Sequence, residues 1–107
     1  MANKWGIPIE VEELVLLRDK SCVYCGVAFT KNDTSRKTKQ SWEHIVNDIR
    51  INQANNIALC CVSCNASKGA KLLEDWLNTN YCKNKGISKQ LVAPVVREAI
   101  DNPPKLK

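Results

Sequence analysis

No apolar run in this chain extends beyond a few residues, so no segment is expected to span a membrane. Met1 to Pro8 lack the apolar stretch of a secretory signal, and the chain therefore reads as cytoplasmic. At 107 residues there is no room for two independent cores, so one domain over 1–107 is expected. Low-complexity segments are absent, and nothing repeats except two short cysteine motifs. Acidic residues are also in short supply: Asp plus Glu is 11 against 16 for Lys plus Arg, giving +5. A small basic domain favours polyanionic partners, nucleic acid foremost. The proportions that are ordinary, 44% hydrophobic and 25% charged, argue against a disordered tail or a coiled-coil rod. There is a single histidine, His44.

Against these absences stand six cysteines: Cys22, Cys25, Cys60, Cys61, Cys64 and Cys82. Disulfides do not persist in a reducing compartment, where clustered cysteines more often bind metal. Cys22-Val-Tyr-Cys25 and Cys61-Val-Ser-Cys64 are two CxxC knuckles, and together they offer four thiolates to one tetrahedral, structural Zn²⁺. One such motif alone would leave a redox dithiol open, but a redox motif has no need of a second knuckle. Cys60 sits beside Cys61, which leaves the ligand choice there ambiguous; Cys60 and Cys82 read as small apolar residues. Structural zinc contributes on the order of 10 kcal/mol of binding energy available only to the folded state, and so supports a domain whose own core is marginal.

The pattern predicts helix over 10–20, with Glu10, Glu12 and Glu13 in its first turn and Val11, Leu14, Val15 and Leu17 at helical spacing. Strand is expected over 41–46 and again from Ile57 to Leu59, with an Asn-rich loop between them. A helix should begin near Cys64 or Asn65 and end or kink at Gly69. A second contains Leu72, Leu73, Trp76 and Leu77, Asn84 to Gly86 make a turn, and a last helix starts at Pro94. Trp42 and Trp76 read as core and Trp5 as covering an edge. The polar segment 30–40 carries Lys31, Arg36, Lys37 and Lys39 against a single acid, and reads as an exposed loop suited to phosphate. Between the knuckles lie 35 residues, 26–60, well beyond the ~15–20 of a simple zinc ribbon. The histidine lies in that insert.

Three pieces carry the candidate chemistry: Trp42-Glu43-His44-Ile45-Val46, then Asn56-Ile57-Ala58-Leu59, then Cys61-Val62-Ser63-Cys64-Asn65-Ala66-Ser67-Lys68-Gly69. In this order and spacing, with the Arg18-Asp19-Lys20 and Cys22-Val23-Tyr24-Cys25-Gly26 entry, they resemble the HNH endonuclease family. The resemblance covers about 22–69. It implies an α+β fold, a small mainly helical domain with a ββα-metal motif stapled by the Cys₄ zinc. The helical segment 10–20 precedes that motif and 70–107 follows it. By resemblance His44 is the general base, Glu43 and Asn65 ligate a catalytic divalent metal, and Asn56 bridges the loop between the strands and steadies His44. The chain is then an H-N-N variant that departs from the family's frequent Asp and Pro at Glu43 and Val46. The implied reaction is hydrolysis of DNA phosphodiesters with one Mg²⁺ or Mn²⁺ at the leaving 3′ oxygen, yielding 5′-phosphate and 3′-OH ends. A bacterial or phage-encoded nicking, restriction or phage-type enzyme fits.

The residue chemistry is compatible with that reading. A histidine with a pKa near ~6.5 takes a proton at neutral pH. Glu43 and Asn65 offer oxygen, which suits a hard cation, and no second acidic cluster supports a second metal. Adjacent strand residues point to opposite faces, so Glu43 and His44 require a distorted strand end or an opposing loop to meet. Lys68 and Lys71 are further candidates for DNA contact. The plainer readings stay open: His44 as a hydrogen-bonded structural histidine, Asn65 as a helix cap, Lys68 as a solvated lysine, and the whole as a non-catalytic zinc-stapled nucleic-acid module or a thiol redox protein. One site per chain makes a nick, and monomer and homodimer are both open.

Overall fold

A computed structural model describes residues 6–29 and 37–105. Helix α1, Ile9–Arg18, follows Pro8, whose extended backbone leads into the first turn; Glu10 and Glu12 lie there and Arg18 in the last, each complementing the helix dipole. Only Val15 of α1 is fully buried, with Val11 half-buried. The helix stops two residues short of the expected Lys20 because Asp19 is extended. The Asp19 carboxylate is instead used at long range, accepting from the Leu59 amide at 3.0 Å and from the Arg18 guanidinium at 2.7 and 2.8 Å. Arg18 also donates to the carbonyls of Ala54 and Ile57.

The first knuckle is a tight loop between Ser21 and Ala28, which form an isolated antiparallel bridge. Gly26 closes it with its N–H on the Cys22 carbonyl at 3.0 Å and a φ of 80°, a conformation that favours glycine. Strands β1, Gln40–His44, and β2, Ile57–Cys61, form an antiparallel pair in the register Trp42 to Leu59, Glu43 to Ala58 and His44 to Ile57. Helix α2, Val62–Lys68, follows β2 without a loop and ends at Gly69, whose φ of 50° and ψ of −128° break the helix.

Alternation assigns the two faces of the hairpin. Ala58 and Cys60 join the larger core with Tyr24, Trp76, Cys82 and Val96, whereas Ile57 and Leu59 pack with Ile7, Val15, Val11 and Trp42. β2 is buried at all five positions because both faces are covered. The first knuckle reaches β2 through the Val23 N–H on the Leu59 carbonyl, and the C-terminal part of the chain reaches the knuckle through the Ala93 N–H on the Val23 carbonyl.

Helices α3, Leu73–Leu77, α4, Asn80–Lys85, and α5, Pro94–Asp101, complete an α+β domain. Trp76 is fully buried, edge-on to Tyr24 with ring centroids 4.8 Å apart. Pro94 occupies the first turn of α5, as expected. Several elements differ from the sequence reading. β1 spans 40–44 rather than 41–46, because the Ile45 and Val46 amides turn to the Asn56 backbone and side-chain oxygens. α2 begins at Val62, since the Cys61 sulfur caps it by accepting from the Cys64 amide. α4 occupies a stretch with no apolar period, started by Thr79 accepting from the Cys82 amide; the expected turn is reduced to its end at Gly86. Trp42 is half-buried rather than core, and Trp5 lies outside the described residues. Among the described residues no helix is long and apolar enough to cross a membrane.

Candidate metal centres

The knuckles converge. The Sγ atoms of Cys22, Cys25, Cys61 and Cys64 all lie within 4.8 Å of one another, and Cys25 and Cys61 are 3.9 Å apart. A tetrahedral zinc with bonds of about 2.3 Å sets its sulfurs roughly 3.8 Å apart, so the cluster fits one structural Zn²⁺. None of the four is in a disulfide. Backbone N–H groups face the sulfurs, Cys25 on Cys22 at 3.5 Å and Cys64 on Cys61 at 3.4 Å, and the Tyr81 hydroxyl donates to Cys64 at 3.4 Å. Such donors stabilise thiolate and orient it. The Cys64 thiol hydrogen bond, foremost, holds Cys22 down at about 5, while burial pushes Cys25 up to about 11. The ambiguity at Cys60 resolves: it is fully buried, lies outside the cluster and sits 3.8 Å from the Ser41 hydroxyl, with burial raising its pKa. Cys82 is likewise buried in the core.

The second centre lies around β1 and α2. Glu43 points to the face covered by α2, where its Oε2 accepts from the Tyr24 hydroxyl at 2.6 Å and faces the Lys68 ammonium at 3.1 Å. Burial first, then the Glu43 charge, raises the Tyr24 pKa, so this phenol stays protonated and donates. Asn65 reaches the same face, its Nδ2 donating to the Ser41 hydroxyl at 3.1 Å and the Trp42 carbonyl at 2.9 Å. Both bonds use the amide nitrogen and leave the oxygen to a cation or solvent. One carboxylate and one amide oxygen beside the same strand are a donor set that fits a hard divalent ion.

His44 is the last residue of β1 and belongs to the opposite face. Its Nε2 is 2.8 Å from Asn52 Oδ1. An amide oxygen only accepts, so Nε2 is the donor of this bond. Asn56, fully buried, braces the loop: its Oδ1 accepts from the Val46 amide at 2.7 Å, and its Nδ2 donates to the carbonyls of Val46 and Ile51. The chain bends immediately after His44.

Lys68 corrects an expectation. At 1% exposure it is buried against Glu43, with its Nζ also 3.4 Å from the His44 carbonyl, and it presents nothing to DNA. Lys37, Lys39 and Lys71 are exposed; the Lys39 carbonyl accepts from the Val62 amide where α2 begins, and Lys71 lies three residues beyond its end. Lys31 and Arg36 lie outside the described residues. Sequence reasoning missed Tyr24 and Asn52, which no local spacing ties to Glu43 or His44. It also missed the pairing of Lys68 with Glu43, although Lys68 shares a helix face with Asn65 at i, i+3. Set against protein-family models, curated proteins and solved structures, the chain matches none.

Proposed function

We propose that this chain is a metal-dependent DNA endonuclease of the HNH type, built on a structural zinc. The observation that carries the reading is that Glu43 and Asn65 lie on one face of the β1–β2 pair, with His44 next in the strand on the other face and Asn56 bracing the turn behind it. In this reading His44 Nδ1 takes a proton from the attacking water while Asn52 holds the ring from Nε2. Glu43 and Asn65 would hold a divalent ion such as Mg²⁺ or Mn²⁺, which when bound supplies charge stabilisation at the leaving oxygen. Lys39 and Lys71, at the two ends of α2, grip the phosphate backbone.

A second reading has its own observation: Glu43 is already satisfied by Tyr24 and Lys68, as in a purely structural ion pair. On that reading the chain is a zinc-stapled nucleic-acid-binding module without catalysis. Supercoiled plasmid separates the two. The nuclease reading requires conversion to nicked circles with Mg²⁺ or Mn²⁺, blocked by EDTA at concentrations that leave the zinc in place and strongly reduced in His44→Ala. Plasmid that binds and stays intact for both proteins favours the module.

A further inference from the structure

We propose that Tyr24 and Lys68 are positioning residues for Glu43, holding one carboxylate oxygen so that the other serves as a single-oxygen ligand to the divalent cation. The inference rests on the function proposed above and adds two residues to it. Tyr24 lies between the zinc ligands of the first knuckle and Lys68 is the last residue of α2. They are far apart in sequence and meet on one atom, Glu43 Oε2, at 2.6 and 3.1 Å. The phenol takes a lone pair of Oε2 and the ammonium's charge sits beside the same oxygen, which leaves Oε1 as the less engaged donor. Free rotation would let a glutamate exchange its two oxygens; holding one of them fixes the plane of the group.

Burial strengthens the argument. Lys68 is 1% exposed and Tyr24 is 1% exposed, and among the described residues Lys68 Nζ reaches only Glu43 and the His44 carbonyl. A buried ion pair is weak evidence of stabilisation, because apolar replacements of similar volume are often as stable or more so. A lysine placed here is better accounted for by what it orients. Its second contact matters for the same reason: one ammonium touches the carboxylate of Glu43 and the backbone of His44, tying the two consecutive residues at the end of β1 to one point on α2. The arrangement also links the centres, since the chain segment that holds the zinc delivers the Tyr24 hydroxyl.

The test is Mn²⁺ binding to the zinc-loaded protein without DNA, read by the electron paramagnetic resonance of free Mn²⁺, together with thermal unfolding and the Mg²⁺ dependence of plasmid nicking. Tyr24→Phe is the deciding variant, as it removes one hydroxyl and no charge. It should unfold with wild-type cooperativity and bind Mn²⁺ roughly tenfold more weakly, the usual loss when a ligand's outer partner is removed. Half-maximal nicking should move to higher Mg²⁺ by a similar factor, with the maximal rate little changed. Tyr81→Phe, on the zinc side, should leave Mn²⁺ affinity alone. Lys68→Met should also weaken Mn²⁺, although it removes a cation that would otherwise repel the ion. Equal Mn²⁺ affinity in wild type and Tyr24→Phe, with Glu43→Ala abolishing binding, would overturn the positioning role and leave the nuclease reading standing. Wild-type protein that neither binds Mn²⁺ nor nicks DNA would overturn both.

Discussion

The sulfur cluster and the oxygen site differ in how the chain assembles them. Each pair of sulfurs comes from one knuckle, so half of the zinc geometry is local, and the fold has only to bring Val23 alongside Leu59 to complete it. The oxygen site has no local half. Glu43 and Asn65 share a face because β1, β2 and α2 follow one another in a fixed register, and the partners of Glu43 come from the first knuckle and the end of α2. The chemistry differs as well. Four cysteine sulfurs make a closed set for a structural ion, whereas one carboxylate and one amide oxygen would, on the proposed reading, leave most of a hard ion's shell to water and phosphate. On the proposed reading the first site would hold its ion and the second would share it.

The largest expected effect breaks the first site. Cys22→Ser removes a ligand from a centre with binding energy on the order of 10 kcal/mol, so the variant should lose cooperative thermal unfolding and its zinc. Cys60→Ser, one residue from a ligand, should retain one zinc per chain by metal analysis. A folded, zinc-free and active Cys22→Ser protein would contradict the structural role.

Next is the brace of the loop that follows His44. Asn56→Ala leaves the Val46 N–H and the buried Ile51 carbonyl without their side-chain partner and takes one of two donors from the Val46 carbonyl, which keeps the Asp48 amide. That should destabilise the protein by about 3 kcal/mol in urea unfolding. Nicking should fall further than the folded fraction does, because the turn behind His44 loosens.

The smallest effect sharpens the contrast between exposed and buried lysines. Lys39→Ala and Lys71→Ala should each reduce the log–log salt slope of duplex binding by about 0.9. Lys68→Met should leave that slope unchanged, being inside the protein. A shallower slope in Lys68→Met would place its ammonium on the DNA and remove it from Glu43.

How much of this was legible in the sequence follows the same division. CxxC spacing is a local signal, so all four sulfurs were identified, and the structure removes only the ambiguity at Cys60. Pro94 and Gly69 announced helix boundaries through backbone restrictions that act within one residue. α4 was not legible, because Asn80 to Lys85 show no apolar period and a Thr79 cap carries the start. Lys68 was misplaced because a lysine near a helix end is usually solvated; its burial depends on a carboxylate 25 positions earlier and a tyrosine earlier still. Val46 was read into β1 because its side chain suits a strand, yet its amide is taken by Asn56.

The most direct test of the central claim, that the two centres do different work, is a Mg²⁺ titration of plasmid nicking with the zinc-loaded protein. Wild type, His44→Ala, Glu43→Ala and Asn65→Ala are compared at matched fold content. His44→Ala should be slower by about 10²–10⁴ at every Mg²⁺ concentration, because a lost base is not replaced by metal. Glu43→Ala and Asn65→Ala should recover part of their activity as Mg²⁺ rises, because their defect is affinity. Rescue of His44→Ala with none for Glu43→Ala would reverse the assigned roles. Unimpaired cleavage in all three would contradict the account.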